Sequence, residues 1–210
     1  MRDRLAFLHT ARSNADLFEA LIGDRPLRRR HVVRDDLRDR ALTGAGLTAP
    51  VRAETKAALR ALADISDAVV LTCSTLGPAA DDLANLPVLR IDRALANAAV
   101  ADGGRVGVLY AAPTTRDATA RLFAEAAAAT GATVTLEPVP RAWDLFMRGD
   151  THAYARSIAD AADDAAARFD VVALAQCSMA PAAALCGGRP PLTSLHLGLE
   201  AALALAGRAG

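Results

Sequence analysis

Two segments, DAVVLTCSTLGPAADDL (67–83) and DVVALAQCSMAPAAA (170–184), decide how the rest of the chain reads. Each opens with Asp, runs through a short apolar stretch, reaches a cysteine followed by serine, and meets a proline ahead of alanines. A continuous apolar run of that length, bounded by small polar residues, reads as a strand buried on both faces. The proline and alanines beyond it read as a helix start. Cys73 and Cys177 therefore both end a strand, 104 residues apart.

Working outward, the second half of the chain repeats the first. RLAFLHTARSNADLF, from Arg4, lines up with RVGVLYAAPTTRDATARLF, from Arg105, at an offset of 101. PVLRIDRALANAAV resembles PPLTSLHLGLEAAL at an offset near 103. Three matches in one order imply two similar lobes, each with a thiol at the same place. Strands are expected in RLAFLHT, HVVRDDL (as an edge), DAVVLTC and PVLRID, and again in RVGVLYA, TVTLEPV, DVVALAQC and PPLTSL. Helices are expected in NADLFEALI, ETKAALRALAD and PAADDLANL, then in RDATARLFAEAAAAT, THAYARSIADAADDAAARF, PAAAL and LGLEAALALA. This alternation predicts an α/β fold with mostly parallel sheets covered by helices, which take their ligands beyond the carboxyl ends of the strands.

Composition narrows the function. Basic and acidic residues are balanced at 24 each, so no net field marks nucleic acid or an anionic membrane as the partner, and a small molecule is the expected ligand. No apolar stretch approaches the roughly 20 residues of a membrane span, and MRDRLAFLHTARSN is too charged for a secretory signal, so a cytoplasmic protein is expected. The 3 cysteines show no CxxC or zinc spacing and read as free thiols. Lys56, the only lysine, sits among the polar positions of a helix, which argues against a Schiff-base cofactor. His9, His31, His152 and His196 are not spaced as a metal cluster.

A buried cysteine is often only a small hydrophobe, and Cys186, without a counterpart in the first half, keeps that reading. For Cys73 and Cys177 the repeated strand-end position favours chemistry. A thiol at a helix N-terminus is expected to have a lowered pKa. Two thiols on opposite sides of one carbon acid can remove a proton from one face and return it to the other, inverting a stereocentre without a cofactor.

TCSTLGP, AQCSMAP, the doubled pattern and VGVLYAAPTTRD together resemble the cofactor-independent Asp/Glu/hydantoin racemase superfamily, over nearly the whole chain. The resemblance implies two similar three-layer α/β lobes, related by a pseudo-two-fold, with the active site in the cleft between them. It implies a first lobe of residues 1–93 plus 193–210, a second of residues 94–192, and Cys73 and Cys177 as the acid/base pair. No cofactor or metal is implied, the substrate is a small carboxylate or hydantoin-like compound, and a homodimer is the family default. Maleate cis–trans isomerases and arylmalonate decarboxylases are relatives; the decarboxylases lack one of the thiols. Glutamate racemases usually read Cys-Asn-Thr and Cys-Thr-His, whereas this chain has Cys-Ser-Thr and Cys-Ser-Met, closer to the Gly-Cys-Ala-Gly-Met of hydantoin racemases.

Charge building on substrate oxygens needs fixed donors. Thr10, Ser13 and Asn14 follow the first strand and can either bind substrate or cap a helix. Thr114 and Thr115 match the superfamily's carboxylate-binding threonine loop. Ser74, Thr75 and Ser178 follow the thiols, where substrate contact and helix capping explain them equally. His9 ends a strand and His196 follows the returning one, so either can touch the cleft, while His152 in RGDTHAY fits cleft closure or a capped loop. The acidic pairs read as solvated charges. Two other classes remain open: a two-lobed binding protein or ligand sensor, and a thiol redox protein, disfavoured by the absence of CxxC.

Overall fold

From Leu5 to His9 every side chain of the first strand is buried, so both faces of the sheet it joins are covered. The computed structural model describes residues 4–44 and 46–207. It divides into two units, one from the described residues of Met1–Arg93 and Leu195–Gly210, the other Ala94–Ser194.

The first unit contains β1 (Arg4–His9), α1 (Arg12–Ile22), β2 (Arg28–Val33), α2 (Asp35–Thr43), α3 (Ala49–Ala63), β3 (Ala68–Leu71), α4 (Gly77–Asp81) and β4 (Val88–Arg90). The four strands are parallel in the order β2-β1-β3-β4. Helix α5 (Asp92–Val100) leads into the second unit, which holds β5 (Arg105–Tyr110), α6 (Arg116–Ala127), β6 (Thr133–Pro138), α7 (Ala142–Met147), α8 (Thr151–Ala166), β7 (Val171–Leu174) and β8 (Leu192–Thr193). Its strands are also parallel, in the order β6-β5-β7-β8, so the sequence repeat is a repeat of topology. Last comes α9 (Ser194–Ala206), most of which belongs to the first unit: its Gly198 lies so close to Ile91 that a Cβ would collide with that side chain.

Alternation along β1 sends Ala6 and Leu8 to one core, with Leu59 and Leu62 of α3 and Leu76 beyond β3, and Phe7 and His9 to the other face, against Phe18 of α1. The second unit builds its core from Leu109, Leu174, Met179 and the Tyr154, Ile158 and Ala162 face of α8. At the opposite end of each central strand pair the repeat shows as a shared clamp. Asp67 accepts from the Arg4 backbone N–H at 2.8 Å and its guanidinium at 2.9 Å, and Asp170 accepts from the same groups of Arg105 at 2.8 and 3.1 Å.

Several expected boundaries move. β2 starts at Arg28, not His31, because an edge strand facing solvent tolerates the polar run RRR and arginine there discourages further pairing. Asp35 and Asp36, expected to extend that strand, occupy the first turn of α2, where their charge suits the helix N-terminus. The expected PAADDLANL helix is one short turn, and PAAAL lies within a 3₁₀ segment, Cys177–Leu185, with Pro181 inside it. Proline supplies no N–H and its ring blocks the carbonyl four residues back, so an α-helix cannot form across it. Helix α2 carries few apolar positions, and α7, AWDLFM, is too short and too evenly apolar to show a helical period.

Beneath the loop after β3 lies the most buried ion pair of the described chain. The Arg90 guanidinium donates to both oxygens of Asp92 at 2.6 and 2.9 Å and to Asp81 at 2.8 Å, with Arg90 and Asp92 only 4% and 1% exposed. Gly77 rests on this guanidinium, where a Cβ would collide with it. Removing one partner strands the other charge, so Arg90→Leu is expected to cost about 3–5 kcal/mol, read as a lower urea midpoint, while Arg4→Leu at the exposed clamp changes it by less than about 1 kcal/mol.

Candidate active site

Strands β1 and β3 pair with Leu8 opposite Leu71. One step on, Thr72 N–H donates to the Leu8 carbonyl at 3.0 Å, and the side chains of His9 and Thr72 meet, Nδ1 to Oγ1, at 2.9 Å. One step further the Thr10 hydroxyl donates to the Cys73 sulfur. The backbone N–H groups of Thr75 and Leu76, in the turn before α4, also point at that sulfur. Cys73 is half-buried as a residue, and its sulfur has three donors around it.

The thiol pKa is raised, not lowered as the helix start led one to expect. Burial is the largest effect and pushes the Cys73 thiol up; Thr10 and the two N–H groups oppose it, and the Asp92 carboxylate adds to it. Helix α4 begins four residues beyond the sulfur and is a single short turn, so it offers no long macrodipole to offset desolvation.

The second unit solves the same end differently. Leu109 pairs with Leu174, but Ala175 and Gln176 now precede the thiol where Thr72 alone stood in the first unit. The Gln176 Oε1 accepts from the N–H groups of Ala111 and Ala112 at 2.7 and 2.9 Å, fastening the loop after β5. With alanines in that loop, no hydroxyl stands where Thr10 does. Cys177 is 2% exposed, and burial alone pushes it up to about 12. Beside it, Tyr154 and Ser178 are joined hydroxyl to hydroxyl at 3.0 Å, and burial raises the tyrosine.

Other expected site residues divide. Asn14 is buried at the start of α1 and its Oδ1 has no hydrogen-bond partner among the described residues. The N-cap of that helix is Ala11, without a side-chain cap, so neither Ser13 nor Asn14 caps it; Ser13 is exposed. Ser74 and Thr75 are buried next to Cys73. Thr115 is buried and Thr114 half-buried in the 3₁₀ turn Pro113–Thr115 that opens α6. His196 is exposed on α9, and His152 is exposed on α8, where Asp150 caps the helix by accepting from Ala153 N–H at 3.1 Å. Cys186 donates to the Ala182 carbonyl of the 3₁₀ segment at 3.5 Å and lies 4.0 Å from the Ala159 carbonyl of α8, a packing contact between the two elements. Among the acidic pairs Asp163 does more than meet solvent, since it accepts from the N–H groups of Gly187 and Gly188 at 2.8 and 3.1 Å. Lys56 pairs with Asp82 at 3.2 Å.

Thr72, Gln176 and Tyr154 were not anticipated, nor was the pairing of His9 with His31. For Gln176 a signal existed: the offset between halves grows from 103 at the strand-opening Asp67 and Asp170 to 104 at the thiols, marking one inserted residue. Among the described residues no cluster of His, Cys, Asp or Glu could hold a metal ion, and no helix is long and apolar enough to cross a membrane.

No protein-family model and no curated protein matches the sequence. Solved structures do. Picrophilus torridus aspartate racemase aligns with a TM-score of 0.72 at 12% identity, over 99% of this chain and 94% of its own. A glutamate racemase from Bacillus anthracis aligns with a TM-score of 0.72 at 15% identity, over 98% and 82%, and arylmalonate decarboxylase with 0.58 at 17%, over 97% and 92%. The chain shares the fold of these enzymes. The two-lobed α/β architecture expected from the repeat is thus the racemase architecture.

Two measurements follow from the site. Removing the Thr10 hydroxyl with Thr10→Val is expected to raise the Cys73 pKa further and slow its alkylation by iodoacetamide several-fold, leaving Cys177 unchanged. His9 is held at about 3, below the ordinary 6.5, by burial first, then by His31 and Arg12. The unfolded chain therefore takes up a proton that the folded chain refuses. Stability is full above about pH 6.5 and falls as pH drops toward 3, by at most about 1.4 kcal/mol per pH unit for one proton. Urea midpoints against pH are expected to show this slope, and His9→Gln to flatten it.

Proposed function

We propose that this protein belongs to the Asp/Glu/hydantoin racemase superfamily and is a cofactor-independent racemase or epimerase of a small carboxylate or hydantoin-like substrate. The observation that carries the reading is the Cys73 setting: a thiol at the carboxyl end of a central parallel strand, met by the Thr10 hydroxyl and two backbone N–H groups, with Cys177 at the matching place in the second unit. A packing cysteine has no need of three donors. A ligand-binding protein without turnover has no need of a second thiol.

In this reading the Cys73 thiolate takes the proton from the substrate α-carbon, and the C–H electron pair moves into the neighbouring carbonyl or carboxylate. The Cys177 thiol then delivers its own proton to the opposite face, so the product has the inverted configuration and the enzyme is left with the two protonation states exchanged. The reverse reaction uses the thiols in the opposite roles. Donors around Cys73 stabilise its thiolate, and burial of Cys177 keeps that thiol protonated, which suits the direction just described. Fixed donors on the enolate-like intermediate come from the loops holding Thr10, Ser74, Thr75, Thr114, Thr115 and Ser178. The unpaired Asn14 Oδ1 is an acceptor and favours a substrate bearing an N–H, as amino acids and hydantoins do. Because burial raises Cys73 above the ordinary cysteine value, turnover is expected to climb with pH through the alkaline range as that thiol ionises.

The unequal thiols also favour a second reading, in which Cys177 alone protonates a carbanion left by loss of carbon dioxide, or Cys73 alone adds to a double bond as in maleate isomerisation. Incubation in heavy water with aspartate, glutamate, substituted hydantoins, an arylmalonate and maleate separates them. α-Deuteration with inversion that is lost in both Cys73→Ala and Cys177→Ala is the expected result. Turnover that survives either substitution at the wild-type rate overturns two-thiol racemisation.

A further inference from the structure

The two-thiol reading makes no use of the polar chain that runs from the surface of α1 to the residue before Cys73. Arg29 of β2 holds Glu19 of α1 at 2.8 Å, and Glu19 Oε1 lies 3.0 Å from His31 Nε2. That carboxylate stands off the line of the ring N–H, so it acts on the imidazole by charge more than by an aligned hydrogen bond. His31 Nδ1 meets His9 Nε2 at 2.8 Å, and His9 Nδ1 meets Thr72 Oγ1 at 2.9 Å. The two imidazoles lie edge to edge in nearly one plane, with centroids 5.1 Å apart and planes 6° apart; the Phe7 ring is parallel to them with its centroid 4.8 Å from that of His31, and Phe18 closes the side toward α1.

Only one proton fits between the two facing ring nitrogens. Glu19, kept ionised mainly by its bond to Arg29, favours a proton on His31 Nε2. His31 Nδ1 is then the acceptor, His9 Nε2 the donor, and His9 Nδ1 the acceptor for the Thr72 hydroxyl. Both rings are neutral in this arrangement, in keeping with burial that lowers the pKa of each. The charged groups acting on the two rings are Glu19 and Arg12 from α1 and Arg29 from β2.

We propose that Glu19 and His31 are positioning residues that lock one tautomer of His9, and through the His9–Thr72 contact hold the loop that presents Cys73. The link is short: His9 and Thr72 form one rung between the ends of β1 and β3, and their chain neighbours Thr10 and Cys73 form the next. A proton arriving on His31 Nδ1 faces the His9 N–H. His9 must then change tautomer and turn an N–H toward Thr72, so the threonine oxygen becomes the acceptor and its hydrogen is left with the longer contact to the Leu8 carbonyl at 3.4 Å, which reverses and weakens the rung beside the thiol. The setting of Cys73 thereby differs on the two sides of the His31 pKa, which lies below 6.5, with the tighter rung above it.

This inference rests on Cys73 being the reactive thiol, and its test needs no substrate, so it fails separately from the racemase reading. Long-range proton–nitrogen NMR of the full chain is expected to show His9 and His31 each in the single neutral tautomer protonated at Nε2. The rate of Cys73 with 2,2′-dipyridyl disulfide, which reports thiols in acid, divided by its thiolate fraction, is expected to bend downward below pH 6.5. Glu19→Gln is expected to shift the bend to lower pH, because the carboxylate that favours protonated His31 is gone. His31→Phe, which keeps the stack on Phe7, is expected to abolish it and change the neutral-pH rate several-fold. A merely structural role would move the urea midpoint and leave the bend where it is. Mixed tautomers in the wild type, or the same pH profile in all three proteins while they remain folded, overturns the proposal.

Discussion

The parallel pairing of β1 with β3 is the constraint on which the rest depends. Once Leu5 is set against Ala68, each later residue of one strand has its opposite number on the other, and the strands end together. The last backbone bond, Thr72 N–H to the Leu8 carbonyl, is followed by side-chain rungs that continue the same register. Strand register is thus converted into the position of a sulfur atom. A slip of one residue would reverse every side chain on both faces and remove Thr10 from Cys73. Burial on both faces makes that slip prohibitive, since Ala68, Val69, Val70 and Leu71 are all fully inside.

The second unit follows the same topology and arrives at a different chemical end. Its loop after β5 presents alanines, so the fastening comes from the strand on the other side, through the Gln176 amide, which collects two backbone N–H groups at once. The outcome is one thiol in a half-buried residue with donors around it and one buried thiol beside a tyrosine–serine pair. In the proposed reaction, two thiols that exchange a base role and an acid role do not need identical settings. They need settings in which one proton is easier to lose.

Polar groups are buried in the first unit only where partners meet them. Arg90 is enclosed because Asp92 and Asp81 take its guanidinium hydrogens, and it forms the floor under Gly77 at the end of the Cys73 turn. His9 is enclosed because both ring nitrogens find partners and its faces lie against aromatic rings. Asn14 Oδ1 and His31 Nε2 break the pattern, each buried without a hydrogen-bond partner among the described residues. These groups surround the carboxyl ends of β1, β3 and β4, where a parallel sheet leaves its loops free to vary.

The sequence by itself determined the repeat, the parallel α/β class and the strand-end position of both cysteines, because continuous apolar runs and helical periodicity are local patterns set by which faces are buried. Edge strand β2 was read three residues short, since solvent on one side relaxes the demand for apolar residues. What only the tertiary structure decided was which polar side chains meet. His9 is adjacent to Thr72 and His31 through strand pairing between residues far apart in the chain, and Gln176 reaches Ala111 across β5 and β7. The thiol pKa values belong to the same category: proximity to a helix start suggested lowering, but desolvation depends on everything packed around the sulfur, and that is a property of the assembled fold.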